Sequence, residues 1–150
     1  MTLNEYVLKR NGVPMGAAGS LSRNLRNAFG ADSPKKFWKY WNPIWGYYLA
    51  SYVYLPLKNY LPAGLAVLIT FAVSGALHDL AIGLLGRGWQ GFITLWFLLM
   101  GLVVVVSGAL GVRYAGLSFV GRVAMNGGHL AICFVLAVLC RDWLLVSSAG

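Results

Sequence analysis

Three long apolar stretches in the second half of the chain constrain its fold most strongly. They cover about residues 62–85, 91–112 and 123–146, and the middle stretch contains no charged side chain. A helix needs about 20 predominantly apolar residues to cross the hydrocarbon core of a bilayer. The pattern therefore predicts an all-α integral membrane protein with about three transmembrane helices.

The composition supports this fold class. Of the 150 residues, 59% are hydrophobic and 11% are charged, and the mean hydropathy is +0.68. A soluble domain usually carries about a quarter charged residues. Because so few polar side chains cannot cover a water-facing globule, we expect the lipid bilayer to surround much of the chain. The length corresponds to one domain.

The basic residues are concentrated ahead of the apolar stretches. Seven of the twelve precede Trp41, namely Lys9, Arg10, Arg23, Arg26, Lys35, Lys36 and Lys39. A basic flank ahead of spanning helices marks the cytoplasmic side of a membrane. We therefore predict a bacterial inner-membrane protein with a cytoplasmic amino terminus and no cleavable signal peptide. Nucleic-acid binding is not expected, because no recognition motif accompanies the charge.

Residues 1–32 differ in character from residues 33–150. The first range is mixed and basic and has no long apolar periodicity, so we interpret it as a cytoplasmic segment of loops and short helices. The second range is interpreted as the membrane domain. It opens with a helix-start signal, in which Ser33 is the N-cap and Pro34 occupies the first helical position.

Two aromatic segments precede the apolar stretches. Residues 37–41 interleave aromatic side chains with lysine, and residues 44–55 contain five more Trp and Tyr residues. Because such rings concentrate at the membrane–water boundary, we predict interfacial or re-entrant helices. Pro43 should separate them and leave Asn42 at a helix break. A tilted or fourth span through residues 44–55 is an open alternative.

An ionisable pair, His78 and Asp79, lies inside the first apolar stretch. Such residues are costly within a bilayer and usually face a protein interior or a wet cavity. They could carry chemistry, or they could pin this helix to a neighbour by hydrogen bonds. Ser74 shares a face with His78, whereas Asp79 points about 100° away, so a Ser–His–Asp triad is not expected. Asp79 is expected to accept from a cation or backbone group of another helix.

Two motifs resemble those of the membrane-bound O-acyltransferase family. The first is Phe37-Trp38-Lys39-Tyr40-Trp41-Asn42, which resembles the family's FW-x-x-W-[N/H] element, and the second is Val73-Ser74-Gly75-Ala76-Leu77-His78, which resembles its VSG-x-x-H element. The resemblance covers about residues 33–85 and is nearest to the wax-synthase-like branch. Family members are usually several times longer, so the chain resembles only their carboxy-terminal part.

The resemblance implies a membrane-bound acyltransferase that moves an acyl group from a thioester donor to a hydroxyl acceptor. His78 would be the general base, and Asn42 would stabilise the oxyanion or orient the substrate. Candidate substrate-binding residues are Trp38, Trp41, Ser74 and Asp79. The donor would be an acyl-CoA-like substrate and the acceptor a lipid or alcohol. No bound cofactor or metal is expected.

The short length suggests an alternative function, that of a non-catalytic transmembrane subunit within a larger membrane complex. In either case we expect a membrane protein partner or a homo-oligomer, since three spans cannot enclose a tunnel alone. His129 could line the same cavity or be an ordinary interfacial residue. Cys133 and Cys140 lack the further ligands that a zinc site needs.

Overall fold

A computed structural model describes residues 1–87 and 91–148, and within these ranges the chain forms helices and turns without a β-strand. Two segments are π-helical, Ala50–Tyr54 and Gly83–Arg87. The α-helices are α1 (Leu3–Asn11), α2 (Ser20–Phe29), α3 (Pro34–Tyr40), α4 (Pro43–Leu49), α5 (Leu55–Lys58), α6 (Ala63–Ile82), α7 (Phe92–Ala109) and α8 (Phe119–Ser148).

Three of these helices are long and apolar enough to cross a membrane. The candidate spans are Ala63–Gly86, Phe92–Ala109 and Phe119–Trp143. The predicted all-α fold with three spanning helices is confirmed. The third helix begins earlier than predicted, which places Arg122 inside its first turn. An arginine is tolerated there because its long stem can lie along apolar surface while the guanidinium reaches the boundary.

The second aromatic segment forms one helical run, in which α4, a π-helical stretch and α5 follow one another. The predicted segment covered residues 44–55, and the helical run continues through Pro56 to Lys58. The N–H of Leu55 donates to the carbonyl of Ala50, five residues earlier. This wider turn precedes the proline, whose ring cannot fit a regular α-helical turn. The run is not among the three candidate spans, and its interfacial or re-entrant placement stays a prediction.

Glycines allow α6 and α7 to pack closely. A Cβ atom on Gly75 would lie 2.5 Å from the Cα atom of Thr94, and one on Gly101 would lie 2.9 Å from the Cβ atom of Phe71. Small residues are used in this way where membrane helices approach each other. Gly108 differs from them, since no atom of a neighbouring element lies within 4 Å of its Cβ position.

Gly75→Ala is therefore expected to destabilise the fold by about 1–3 kcal/mol, because the new methyl group meets backbone atoms that cannot easily move. Gly108→Ala is the matched control, since the same methyl group enters open space there. Thermal unfolding of both variants in detergent measures the difference. Equal unfolding temperatures for the two variants would contradict the close approach of α6 and α7 at Gly75.

A buried asparagine fastens the amino-terminal segment to α8. Asn126 is fully buried, and its amide group donates to the carbonyls of Phe29, at 2.9 Å, and Ala31, at 2.8 Å. Its oxygen accepts from the hydroxyl of Tyr114. Burial and the nearby Asp32 carboxylate raise the pKa of Tyr114 to about 12, so this hydroxyl keeps its proton. The division into two segments at residue 32 stays a prediction. The residues on the two sides of this boundary pack against each other.

Candidate active site

The first motif folds as a helix followed by a sharp break. The hydroxyl of Ser33 accepts from the N–H of Lys36, and Pro34 occupies the first turn of α3. This confirms the predicted helix start. Asn42 has a φ of 38° and is the only non-glycine residue with positive φ among the described residues. Asparagine tolerates this left-handed conformation better than most residues, and Pro43 excludes the α-helical alternative.

Asn42 also begins the next helix. Its Oδ1 atom accepts from the backbone N–H of Trp45 at 3.2 Å and so caps α4. Because the oxygen is engaged in this way, the amide Nδ2 group is left as the donor of an exposed side chain. The break therefore fixes both the position of Asn42 and the identity of the atom it can offer to a ligand.

Trp45 connects this break to the second motif. Its indole Nε1 donates to the hydroxyl of Ser74 at 3.0 Å, and the Ser74 side chain is buried. One turn later on α6, the ring of His78 lies edge-on to Trp45, with centroids 6.0 Å apart, and 5.0 Å from the ring of Phe97. The helix break at Asn42 and the second motif on α6, which are distant in sequence, are thereby brought together.

The tautomer of His78 follows from its hydrogen bond. The Nδ1 atom lies 2.7 Å from the carbonyl oxygen of Ser74. A carbonyl oxygen can only accept, so the proton of the neutral ring is on Nδ1 and the Nε2 atom carries a free lone pair. His78 is exposed and can present this acceptor to a ligand. This is the state that a general base requires.

Both motifs line one cavity of about 710 Å³, which we term the aromatic cavity. Five of the six candidate site residues contribute to it, namely Trp38, Trp41, Asn42, Ser74 and His78. Its volume is within the range of small-molecule and cofactor sites. The apolar part of the lining includes Leu49, Val67, Phe71, Phe97 and Val104. The cavity can accommodate an apolar chain beside the polar groups of Asn42 and His78.

Asp79 differs from the other five candidates. It is 3% exposed, and its Oδ1 atom accepts from the N–H of Ile93 at 3.1 Å. Its Oδ2 atom accepts from both the N–H and the hydroxyl of Thr94, at 2.8 and 2.6 Å. The expectation that Asp79 accepts from the backbone of another helix agrees with these contacts. The carboxylate joins α6 to α7 and does not contribute to the lining of the aromatic cavity.

Basic side chains line part of the same cavity. They are Arg10, Lys35, Lys36, Lys39 and Arg113. Asp32 accepts from Lys36 at 2.6 Å, and this hydrogen bond lowers the pKa of Asp32. Repulsion by Arg10, followed by desolvation, lowers the pKa of Lys39. The lining therefore carries an excess of positive charge and suits an anionic headgroup.

Sequence reasoning did not single out Trp45, which was counted among the membrane-anchoring aromatic residues. Its position three residues after Asn42, at the start of a helix, was the available signal.

His129 packs its ring against Phe37, with centroids 5.4 Å apart, and does not line the aromatic cavity. Of the two cysteines, Cys133 is buried and Cys140 is exposed. Among the described residues, no group of three potential ligands could hold a metal ion.

The family model of the membrane-bound O-acyltransferases matches residues 17–110. This range covers more than half of the chain and includes both motifs, so the chain belongs to that family. It is also similar to diacylglycerol O-acyltransferase 1 of Corylus americana, with 36% identity over 53 residues. That match covers 35% of this chain and 10% of the relative. No solved structure matches the chain.

Proposed function

We propose that the chain contributes the hydroxyl-activating site of an acyltransferase, which moves an acyl group from a thioester donor to a hydroxyl acceptor. The observation that carries the proposal is the hydrogen-bonded series from Asn42 through Trp45 and Ser74 to His78 along one cavity. Membership of the acyltransferase family supports this chemistry, although the chain spans about a tenth of the length of the curated relative it matches.

In this proposal His78 acts as the general base. Its free Nε2 atom removes the proton from the acceptor hydroxyl while the oxygen attacks the thioester carbonyl carbon. The tetrahedral intermediate then collapses, the carbon–sulfur bond breaks, and the imidazolium returns the proton to the leaving thiolate. The products are an ester and a free thiol. The hydrogen bond from Nδ1 to the Ser74 carbonyl keeps the ring oriented in both steps.

Asn42 supplies the complementary donor. Its Nδ2 group would stabilise the negative charge that develops on the carbonyl oxygen. Capping of α4 through Oδ1 holds this amide in place before the substrate arrives. The backbone of Asn42 is restrained by Pro43 and by its left-handed conformation. Such preorganisation is what makes an oxyanion donor effective, since no reorganisation is needed during the reaction.

The cavity lining suits the two parts of an acyl-CoA-like donor. The basic residues would hold the phosphates of the headgroup, and Trp38 and Trp41 would pack against the reacting part of the substrate. Ser74 is already bonded to Trp45, so it would position that ring while lining the cavity. We assign Asp79 a positioning role in the packing of α6 against α7. The donor is a substrate, and the acceptor would be a lipid or another alcohol.

The chain is an integral membrane protein, and we propose that its amino terminus is cytoplasmic. This orientation places the basic part of the aromatic cavity on the side from which a soluble thioester would arrive. We further propose that the chain corresponds to the carboxy-terminal part of a wax-synthase-like family member. His78 is exposed, so a protein partner or another copy would complete the wall around it. Family membership does not favour a purely non-catalytic subunit.

Asn42→Ala is expected to lower the turnover number by about 10²–10³, the usual cost of losing one oxyanion donor. The protein, purified from native membranes with whatever partners accompany it, is supplied with long-chain acyl-CoA and candidate alcohols. Ester formation and thiol release are measured together. Asn59→Ala is the matched control, since Asn59 lies after α5 and away from the cavity. Absence of transfer by the unmodified protein with every donor and acceptor would refute the proposal.

A further inference from the structure

A second cavity lies between α1, α2 and the start of α8. Its volume is about 1150 Å³, and we term it the basic hollow. The charged residues in its lining are Lys9, Arg10, Arg23, Arg26, Lys36 and Arg122, together with the single carboxylate of Asp32. That carboxylate is paired with Lys36. Within the described part of the chain, no other carboxylate lies within salt-bridge distance of these basic residues.

Two arginines of the lining have partly desolvated guanidinium groups, and that of Arg10, 4.7 Å from the ring of Tyr6, is shared with the aromatic cavity. The Nε atom of Arg122, and the Nε and Nη1 atoms of Arg10, are buried and have no hydrogen-bond partner among the described residues. Burying a cationic donor without a partner is costly. The positive potential extends to the neighbouring Lys39, whose pKa is lowered chiefly by Arg10. An anion in the basic hollow would offset both the desolvation and the mutual repulsion.

The basic hollow lies at the level where a membrane helix begins. Arg122 is in the first turn of α8, and the guanidinium of Arg26 lies 5.7 Å from the ring of Phe119 at the helix start. Two residues that neighbour its lining in sequence have exposed apolar side chains, Leu21 at 72% next to Ser22 and Val120 at 75% next to Phe119. A basic site bordered by exposed apolar groups at the end of a spanning helix is suited to the headgroup layer.

We propose that the basic hollow binds the phosphate group of an anionic phospholipid, at a site that adjoins the aromatic cavity, since Arg10 and Lys36 line both. Guanidinium groups form paired hydrogen bonds with phosphate oxygens, and several converge here. The acyl tails of the lipid would lie along the exposed apolar residues of α2 and α8. A soluble phosphate shares the headgroup chemistry, but it would leave this apolar border uncovered.

Retention of lipid by the purified protein tests the proposal. The protein, kept with its native partners in a neutral detergent, is supplied with phosphatidylglycerol or phosphatidylcholine, and native mass spectrometry counts the retained molecules. Phosphatidylglycerol should be preferred. Arg122→Gln and Arg26→Gln should each weaken its binding about fivefold, the usual contribution of one basic residue near an anionic surface. Lys58→Gln is the control, because Lys58 lies outside the basic hollow.

Arg26 is exposed, so its substitution should leave the fold intact and can carry the test even if Arg122→Gln fails to fold. Equal retention of phosphatidylglycerol by all variants would overturn the proposal. Displacement of the lipid by inorganic phosphate or coenzyme A would also overturn it, since the hollow would then serve a soluble anion. Neither Arg26 nor Arg122 lines the aromatic cavity, so this binding assay is independent of acyl transfer.

Discussion

His78→Ala is expected to lower the rate of acyl transfer by about 10²–10⁴-fold, while the folded protein and its assembly are retained. The side chain is exposed and bonds to the carbonyl of Ser74 in its own helix. In a helix that carbonyl also accepts from the backbone N–H four residues on, so the truncation strands no buried group. Ester formation by wild type and variant, compared at equal amounts of folded protein, measures the loss.

His129→Ala is the matched control for this experiment. His129 packs against Phe37 and lies outside the aromatic cavity, so its loss should lower stability but not the rate per folded molecule. If His78→Ala retained full transfer, the general-base assignment would be wrong. If it instead dissociated the protein from its partners, a structural role for His78 in a larger complex would be supported.

The helix boundaries around the first motif were predictable from sequence because they depend on neighbouring residues. Ser33 and Pro34 start α3, and Pro43 forces the break at Asn42. Capping and proline sterics act over one to four positions, so their signals can be read directly. The three spans were predictable for a similar reason, since each is a continuous apolar stretch.

Features that depend on contacts between helices were harder to predict. Trp45 was interpreted as an anchoring residue because its bond to Ser74 joins positions that are 29 residues apart. The role of Asn126 is of the same kind, since the two carbonyls to which its amide donates are close to 100 residues away in sequence. A polar side chain within an apolar helix was the available signal, because such groups need a partner.

The rules that relate single residues to helix ends failed where the neighbouring structure accommodated a disfavoured residue. The second aromatic segment was predicted over residues 44–55, but a π-helical stretch accommodates the ring of Pro56 and the helical run continues to Lys58. The third span was predicted to start at about residue 123, directly after Arg122, but α8 begins at Phe119. Both errors come from treating a disfavoured residue as a boundary, when a wider turn or a long flexible stem can accommodate it.

Asp79 replaces a cap that α7 lacks in its own sequence. The N-cap of α7 is Gly91, which has no side chain to accept from the first turn. The carboxylate of Asp79 accepts from the N–H groups of Ile93 and Thr94 instead, and its charge suits the positive end of the helix. One buried side chain of α6 thus satisfies two backbone donors of α7 and holds the two helices in register.

Asp79→Ala is expected to lower the free energy of unfolding by about 2–4 kcal/mol, because the cap is lost and two backbone donors are stranded. Asp79→Asn should lose less, since one acceptor oxygen remains. Thermal unfolding in detergent, followed by tryptophan fluorescence, gives both values. Asp142→Ala is the control, since its exposed pair with Arg141 is worth well under about 1 kcal/mol.

The kinetics of the two Asp79 variants distinguish a positioning role of this residue from direct contact with the substrate. If Asp79 only joins α6 to α7, the variants should lose acyl transfer in proportion to the unfolded fraction, and KM should be unchanged. The 3% exposure of Asp79 and its absence from the cavity lining lead to this expectation. Unchanged stability together with a raised KM would instead show that the carboxylate contacts the substrate, as the motif resemblance implied.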